Sequence, residues 1–154
     1  TGAGAGLLPK APGTLGSLEG VLLFLGFVVF HRSNPNRFTI GPVEQLVVLN
    51  LLVIAAGIWA ASRVCRQTGL NDPQKVVVDE ISGQLIALTP LAASPSIAGV
   101  VLGFVLFRLL DIYKPWPISR FERLHGGLGV MADDVVAGLF SALIVFGVHR
   151  TGLL

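Results

Sequence analysis

A chain of 154 residues that is 53% hydrophobic and 13% charged departs from the roughly 45–50% apolar and about 25% charged make-up of soluble domains, and it leans toward a membrane. The formal net charge of +2 comes from scattered Lys and Arg rather than from a basic block, so nothing points to nucleic acid and an anionic lipid surface is the better partner. The lone Cys65 excludes an internal disulfide and a Cys-based zinc cluster, and it reads as a packing residue.

In chain order, Thr1 and the Gly-rich TGAGAG read as a processed or truncated start. PGTLGS, residues 12–17, is rich in Gly and hydroxyls and leads into the first apolar stretch, 16–30. Backbone N–H groups there, with Thr14 and Ser17, suit an anion. The motif lacks the Gly-Lys-Ser/Thr of a P-loop, and a plain helix N-cap is the competing reading. Glu19 follows as a further acid or as capping support. The second stretch is 43–61. The third, 81–93, is entered through VVDEISG with Asp79 and Glu80, and the fourth, 97–110, leaves through LLDIYKPWPISR with Asp111 and Lys114. Lys114 shares a helical face with Asp111 if the helix persists that far, and Pro115 and Pro117 end it. Lys114 is then either a phosphate clamp or a snorkelling lysine paired with headgroups or Asp111. Tyr113 and Trp116 fit an interfacial aromatic belt. His125, a lone loop histidine, opens HGGLGVMADD, which enters the fifth stretch, 130–148, with Asp133 and Asp134.

None of the five stretches alternates like a strand, and Pro and Gly gather between them, so each is expected to be helical. Only the second and fifth approach the ~20 residues of a full crossing. The expected fold is all-α, a membrane-embedded bundle of about five apolar helices, with residues 1–154 forming a single domain. A soluble bundle with a greasy core is the alternative.

Cationic residues concentrate in cytoplasmic loops. If the N-terminus is inside and all five stretches cross, Lys10, Arg63, Arg66, Lys75, Arg108, Lys114, Arg120 and Arg123 fall inside, and Arg32, Arg37 and Arg150 fall outside. The same assignment gathers PGTLGS, Asp79, Glu80, Asp111, Asp133 and Asp134 at the inner surface, although none of them was used to choose it.

Ionisable groups at the edge of an apolar span are costly unless paired or metal-bound. First-turn acids complementing helix dipoles would explain any one of these carboxylates, but poorly explain two adjacent pairs plus Asp111. Oxygen-only ligands favour a hard cation, Mg²⁺ first. Carboxylates for a cation, donors for an anion and an opening at a leaflet indicate phosphoryl chemistry on a lipid. No Cys-x5-Arg or Asp-x-Asp-x-Thr/Val motif occurs. A water nucleophile is therefore preferred, and a carboxylate nucleophile stays open.

PGTLGSLEG, VVVDEISGQLIAL and FRLLDIYKPWPISRFERLHGGLGVMADDVVAGLFSA resemble the signature blocks of the phosphatidylglycerophosphatase A family, in the same order and at similar separations. The resemblance implies an all-helical bacterial enzyme at the cytoplasmic face of the inner membrane. It would use Mg²⁺ to remove the terminal phosphate of phosphatidylglycerophosphate, giving phosphatidylglycerol. The family's polar motif residues fall on Thr14, Ser17, Asp79, Glu80, Asp111, Lys114, Asp133 and Asp134. The expected assignment makes Asp79, Asp111, Lys114 and Asp134 catalytic, and Thr14, Ser17 and Lys114 phosphate-binding. Asp79, Glu80, Asp133 and Asp134 are the expected metal ligands, and an oligomer is left open. Two alternatives compete. A CDP-alcohol phosphotransferase-like enzyme lacks its Asp-x2-Asp-Gly-x2-Ala-Arg pattern here, and a non-enzymatic cation transporter would need a matching set of acids on the outer side.

Overall fold

The computed structural model describes residues 12–70, 76–121 and 123–154, so Lys10 and Lys75 of the charge comparison, and TGAGAG, lie outside the described residues. Among the described residues every regular element is a helix: α1 (Pro12–Ser33), α2 (Pro42–Thr68), α3 (Val78–Leu88) continued by a 3-10 turn (Thr89–Leu91), α4 (Ile97–Tyr113), α5 (Ile118–Phe121) and α6 (Gly126–Arg150). The all-α expectation holds, and four of the five apolar stretches lie wholly in a helix, while the third, 81–93, runs through α3 and the 3-10 turn and ends two residues beyond it. Three helices, α1, α2 and α6, are long and apolar enough to cross a membrane. The first exceeds its expected length because PGTLGS is itself helical, forming the opening turns of α1 instead of a loop before it. By contrast α3, with 11 residues, is only about 17 Å long at 1.5 Å per residue, well short of a ~30 Å hydrocarbon core.

Local signals account for the ends. Pro42 sits in the first turn of α2, where its missing N–H costs nothing, and Gly69 closes that helix at φ 70° in the left-handed region. Ser96 caps α4 by accepting a 3.0 Å bond from the Gly99 N–H.

The short α3 is the hub. Residues 81–88 are all buried, and α3 packs against α1, α2, α4 and α6. The surrounding helices turn apolar side chains outward, among them Leu22, Leu51, Leu52, Val101 and Leu143. A continuous apolar exterior around a hub with buried Ser82 and Gln84 is the arrangement hydrocarbon solvent favours. Hydrocarbon gives no hydrophobic drive between helices, so close packing of small residues has to hold them together. Gly16 and Gly20 of α1 lie on α3 so tightly that an added Cβ would come within 3.1 Å of Val77 and 2.8 Å of Gln84, and Gly138 of α6 faces the backbone of Gly83.

These contacts fix the direction of each helix. Gly13 beside Glu80 brings the start of α1 to the start of α3, and Gly127 beside Ile58 brings the start of α6 to the last half of α2. Lys114 bonded to Asp133 brings the end of α4 to the same place. At the far end, Ser94 and His149 hydrogen-bond at 2.8 Å. The polar stretches therefore converge on one end of the bundle. Cys65 is buried there with Ala61, Val76 and Val130, as a packing residue should be.

Candidate active site

The first turn of α3 carries Asp79 and Glu80. Acids at that position ordinarily serve the helix dipole from solvent, yet Asp79 is only 8% exposed. Asp79 Oδ1 and Glu80 Oε2 are both buried with no hydrogen-bond partner. In α6 the helix begins at Gly126, so Asp133 and Asp134 lie two turns inside it and no acid occupies its first turn. A dipole role is thus excluded for that pair. Both carboxylates are buried, Asp134 to 3% exposure.

Asp79, Glu80 and Asp134 each offer one oxygen, and the three oxygens lie within 4.8 Å of one another. Such a group is unfavourable unless protons or a cation neutralise it. Burial, the side-chain hydrogen bond to Glu80 and the Glu80 charge raise the Asp79 pKa well above the ordinary carboxyl value. Burial raises Glu80 as well, against a lowering hydrogen bond from Asp79. Orphaned buried oxygens in an all-carboxylate set fit a hard divalent cation.

The remaining acids divide around this centre. Asp111, near the end of α4, stands beside Asp134 and forms an ion pair with Arg108 one turn back. Asp133 points to Lys114, which donates to its Oδ2 at 2.6 Å. The α4 helix stops at Tyr113, and Lys114 caps it at φ 42° in the left-handed region. The sequence condition that the helix persist to Lys114 is therefore unmet, and its partner is Asp133. Exposed Tyr113 and Trp116 flank this end. His125 is exposed, and neither His125 nor Glu19 joins the carboxylate group.

Thr14 and Ser17 are one turn apart on α1. Arg108 reaches both, from Nη1 to Ser17 Oγ at 3.3 Å and from Nη2 to Thr14 Oγ1 at 3.4 Å, while Ser17 donates to the Gly13 carbonyl at 2.9 Å. Arg108 is the residue that sequence reasoning passed over, having counted it only as an inner positive charge. The signal was available: Arg108 is the one cation in VLFRLLDIY, three residues before Asp111 on the same helical face.

The chain is a helical bundle with three described helices long and apolar enough to cross a membrane and, at one end, a cluster of carboxylates that could hold a metal ion. The profile of Phosphatidylglycerophosphatase A matches residues 1–149. Phosphatidylglycerophosphatase A of Escherichia coli K12 is 36% identical over 146 residues, 94% of this chain and 78% of that protein. The Haemophilus influenzae Rd protein of the same name is 34% identical over 151 residues, 96% of this chain and 85% of the relative. A Bacteroides thetaiotaomicron protein with the provisional name phosphatidylinositol-3-phosphatase is 38% identical over 149 residues, 94% of this chain and 87% of its own. No solved structure matches. The chain belongs to the phosphatidylglycerophosphatase A family. It is therefore a phosphatase, a hydrolase of phosphoric monoesters.

Proposed function

We propose that this protein is a Mg²⁺-dependent lipid phosphatase, a single helical domain that converts phosphatidylglycerophosphate to phosphatidylglycerol at the cytoplasmic face of a bacterial inner membrane. The carrying observation is the meeting of three carboxylates within 4.8 Å with a hydroxyl and guanidinium wall from α1 and α4. The charge asymmetry of the loops supports the cytoplasmic orientation.

Asp79, Glu80 and Asp134 would hold the cation, which supplies positive charge to the phosphate oxygens. Thr14 donates to those oxygens, Ser17 joins it only by giving up its bond to the Gly13 carbonyl, and Lys114, seated on Asp133, adds positive charge beside them. Asp111, between Arg108 and Asp134, fixes the orientation of both walls and is the carboxylate placed to accept a proton from the attacking water. The glycerol and acyl chains stay in the leaflet, against the apolar flank of the bundle.

The decisive measurement is phosphate release by purified protein from phosphatidylglycerophosphate and from phosphatidylinositol 3-phosphate in mixed micelles, with Mg²⁺ or with a chelator. Release from the first lipid, abolished by chelation, is expected. Faster turnover of the inositol lipid would reassign the head group, and no release from either would remove the reading.

A further inference from the structure

We propose that Arg108 is the cation that grips the terminal phosphate, with Thr14 as its co-donor; this rests on the phosphatase reading above. Two basic side chains at this end of the bundle, Lys114 and Arg108, differ in what they have left to give. Lys114 is a compact ammonium already seated on Asp133 at 2.6 Å, and that carboxylate is itself buried. Arg108 presents five N–H donors in a fixed fork. Nη1 meets Asp111 and Ser17, Nη2 reaches Thr14 only at 3.4 Å, and Nε is buried with no partner among the described residues. A buried N–H left unpaired costs free energy, and so do hydroxyl contacts at the long limit of a hydrogen bond. A phosphate bound there would supply the missing acceptors and shorten the set.

The two walls meet at Gly13. A Cβ there would come within 2.6 Å of Glu80 Oε1 and 3.3 Å of Arg108 Nη1, so the glycine is what lets the carboxylate centre and the guanidinium close side by side on the start of α1. A phosphomonoester needs such a pair of walls: a cation centre for some of its oxygens and a bidentate donor for others. Asp111 is shared between the walls, since it pairs with Arg108 and stands beside Asp134. It thus sets the fork at a fixed distance from the centre.

Arg108→Lys keeps the charge and removes the fork; Arg108→Gln keeps donors and removes the charge. For each variant, KM and kcat on phosphatidylglycerophosphate, the affinity of the Mg²⁺-loaded protein for inorganic phosphate by calorimetry, and the Mg²⁺ concentration giving half-saturation are measured. Expected is a weakening of KM and of phosphate affinity in parallel, by about 10-fold or more in both variants, with Mg²⁺ dependence within about twofold of wild type. Unchanged phosphate affinity and KM with a lowered kcat would overturn the proposal and make Arg108 a positioning residue for Asp111. The same holds if the wild-type protein binds no phosphate. Arg108-dependent phosphate binding in a protein inert toward the lipid would leave the grip standing and remove the substrate reading.

Discussion

Lys114, at the left-handed cap that ends α4, donates a 2.6 Å hydrogen bond to Asp133 in the second turn of α6. This bond joins two helices at the end where the carboxylates gather, and it divides the adjacent pair: Asp133 holds the bundle together, and Asp134 turns to the centre. Lys114→Met strands a buried carboxylate and is expected to cost about 2 kcal/mol, the range for a hydrogen bond to a charged partner. Thermal unfolding of the detergent-solubilised protein checks this. Adding Asp133→Asn should recover part of the loss, so the double variant melts above Lys114→Met alone. Equal melting temperatures for both would show that the pair does not couple.

The division also predicts unequal metal phenotypes. Asp134→Asn replaces a ligand of the centre with a neutral amide of nearly the same size, so Mg²⁺ half-saturation should rise by more than about 100-fold. Asp111→Asn leaves the ligands in place and removes an outer partner together with the proton acceptor, so its kcat should drop while its Mg²⁺ half-saturation shifts by about 10–100-fold. Asp133→Asn should shift it least and lose stability instead. A titration of activity against Mg²⁺ for the three variants ranks them, and a shift for Asp133→Asn as large as for Asp134→Asn would restore Asp133 to the ligand set.

How much of this was legible in the sequence depends on the residue. Asp79 and Asp134 stood out because carboxylates are costly in apolar stretches, and the loop charges gathered them on one side before any contact was known. The start of α1 was misjudged because Gly, Thr and Ser mark loops and caps in local rules, whereas in PGTLGS the small residues allow α1 to lie against α3. The hub role of α3 was not legible either. A short, mostly apolar stretch looks the same whether it faces lipid or protein, and only the tertiary arrangement shows that 81–88 are enclosed on all sides. Arg108 was hidden for a related reason: its partners Thr14 and Ser17 are 94 and 91 residues away.

Glycine packing makes a prediction with its own control. A Cβ on Gly138 would lie 2.5 Å from the Gly83 carbonyl oxygen, whereas Gly26 has nothing within 4 Å. Gly138→Ala must push α6 from α3 one turn beyond Asp134, and overpacking of this kind costs about 1–3 kcal/mol. It should lower both melting temperature and activity. Gly26→Ala, on the exposed face of α1, should leave activity intact and gain a few tenths of a kcal/mol to about 1 kcal/mol from helix propensity. If Gly138→Ala were as active and stable as Gly26→Ala, the close α3–α6 approach would not be what positions Asp134.

Finally, the raised pKa of Asp79 and of Glu80 links pH, metal and stability. Burial favours the protonated carboxyls in the folded protein more than in the unfolded chain. The folded state therefore binds more protons, and stability falls as pH rises. That contribution is fully present below the ordinary carboxyl pKa and is lost as pH climbs through the raised values. A divalent cation reverses the balance, because it binds the deprotonated oxygens and stabilises only the folded state. In chelator, the melting temperature should fall as pH rises above the ordinary carboxyl range, while in saturating Mg²⁺ it should not, so the gap between the two widens with pH. Asp79→Asn combined with Glu80→Gln removes both titrating groups and should flatten the chelator curve and close the gap. A gap of constant width from acid to neutral pH in the wild-type protein would place the metal on groups other than this pair.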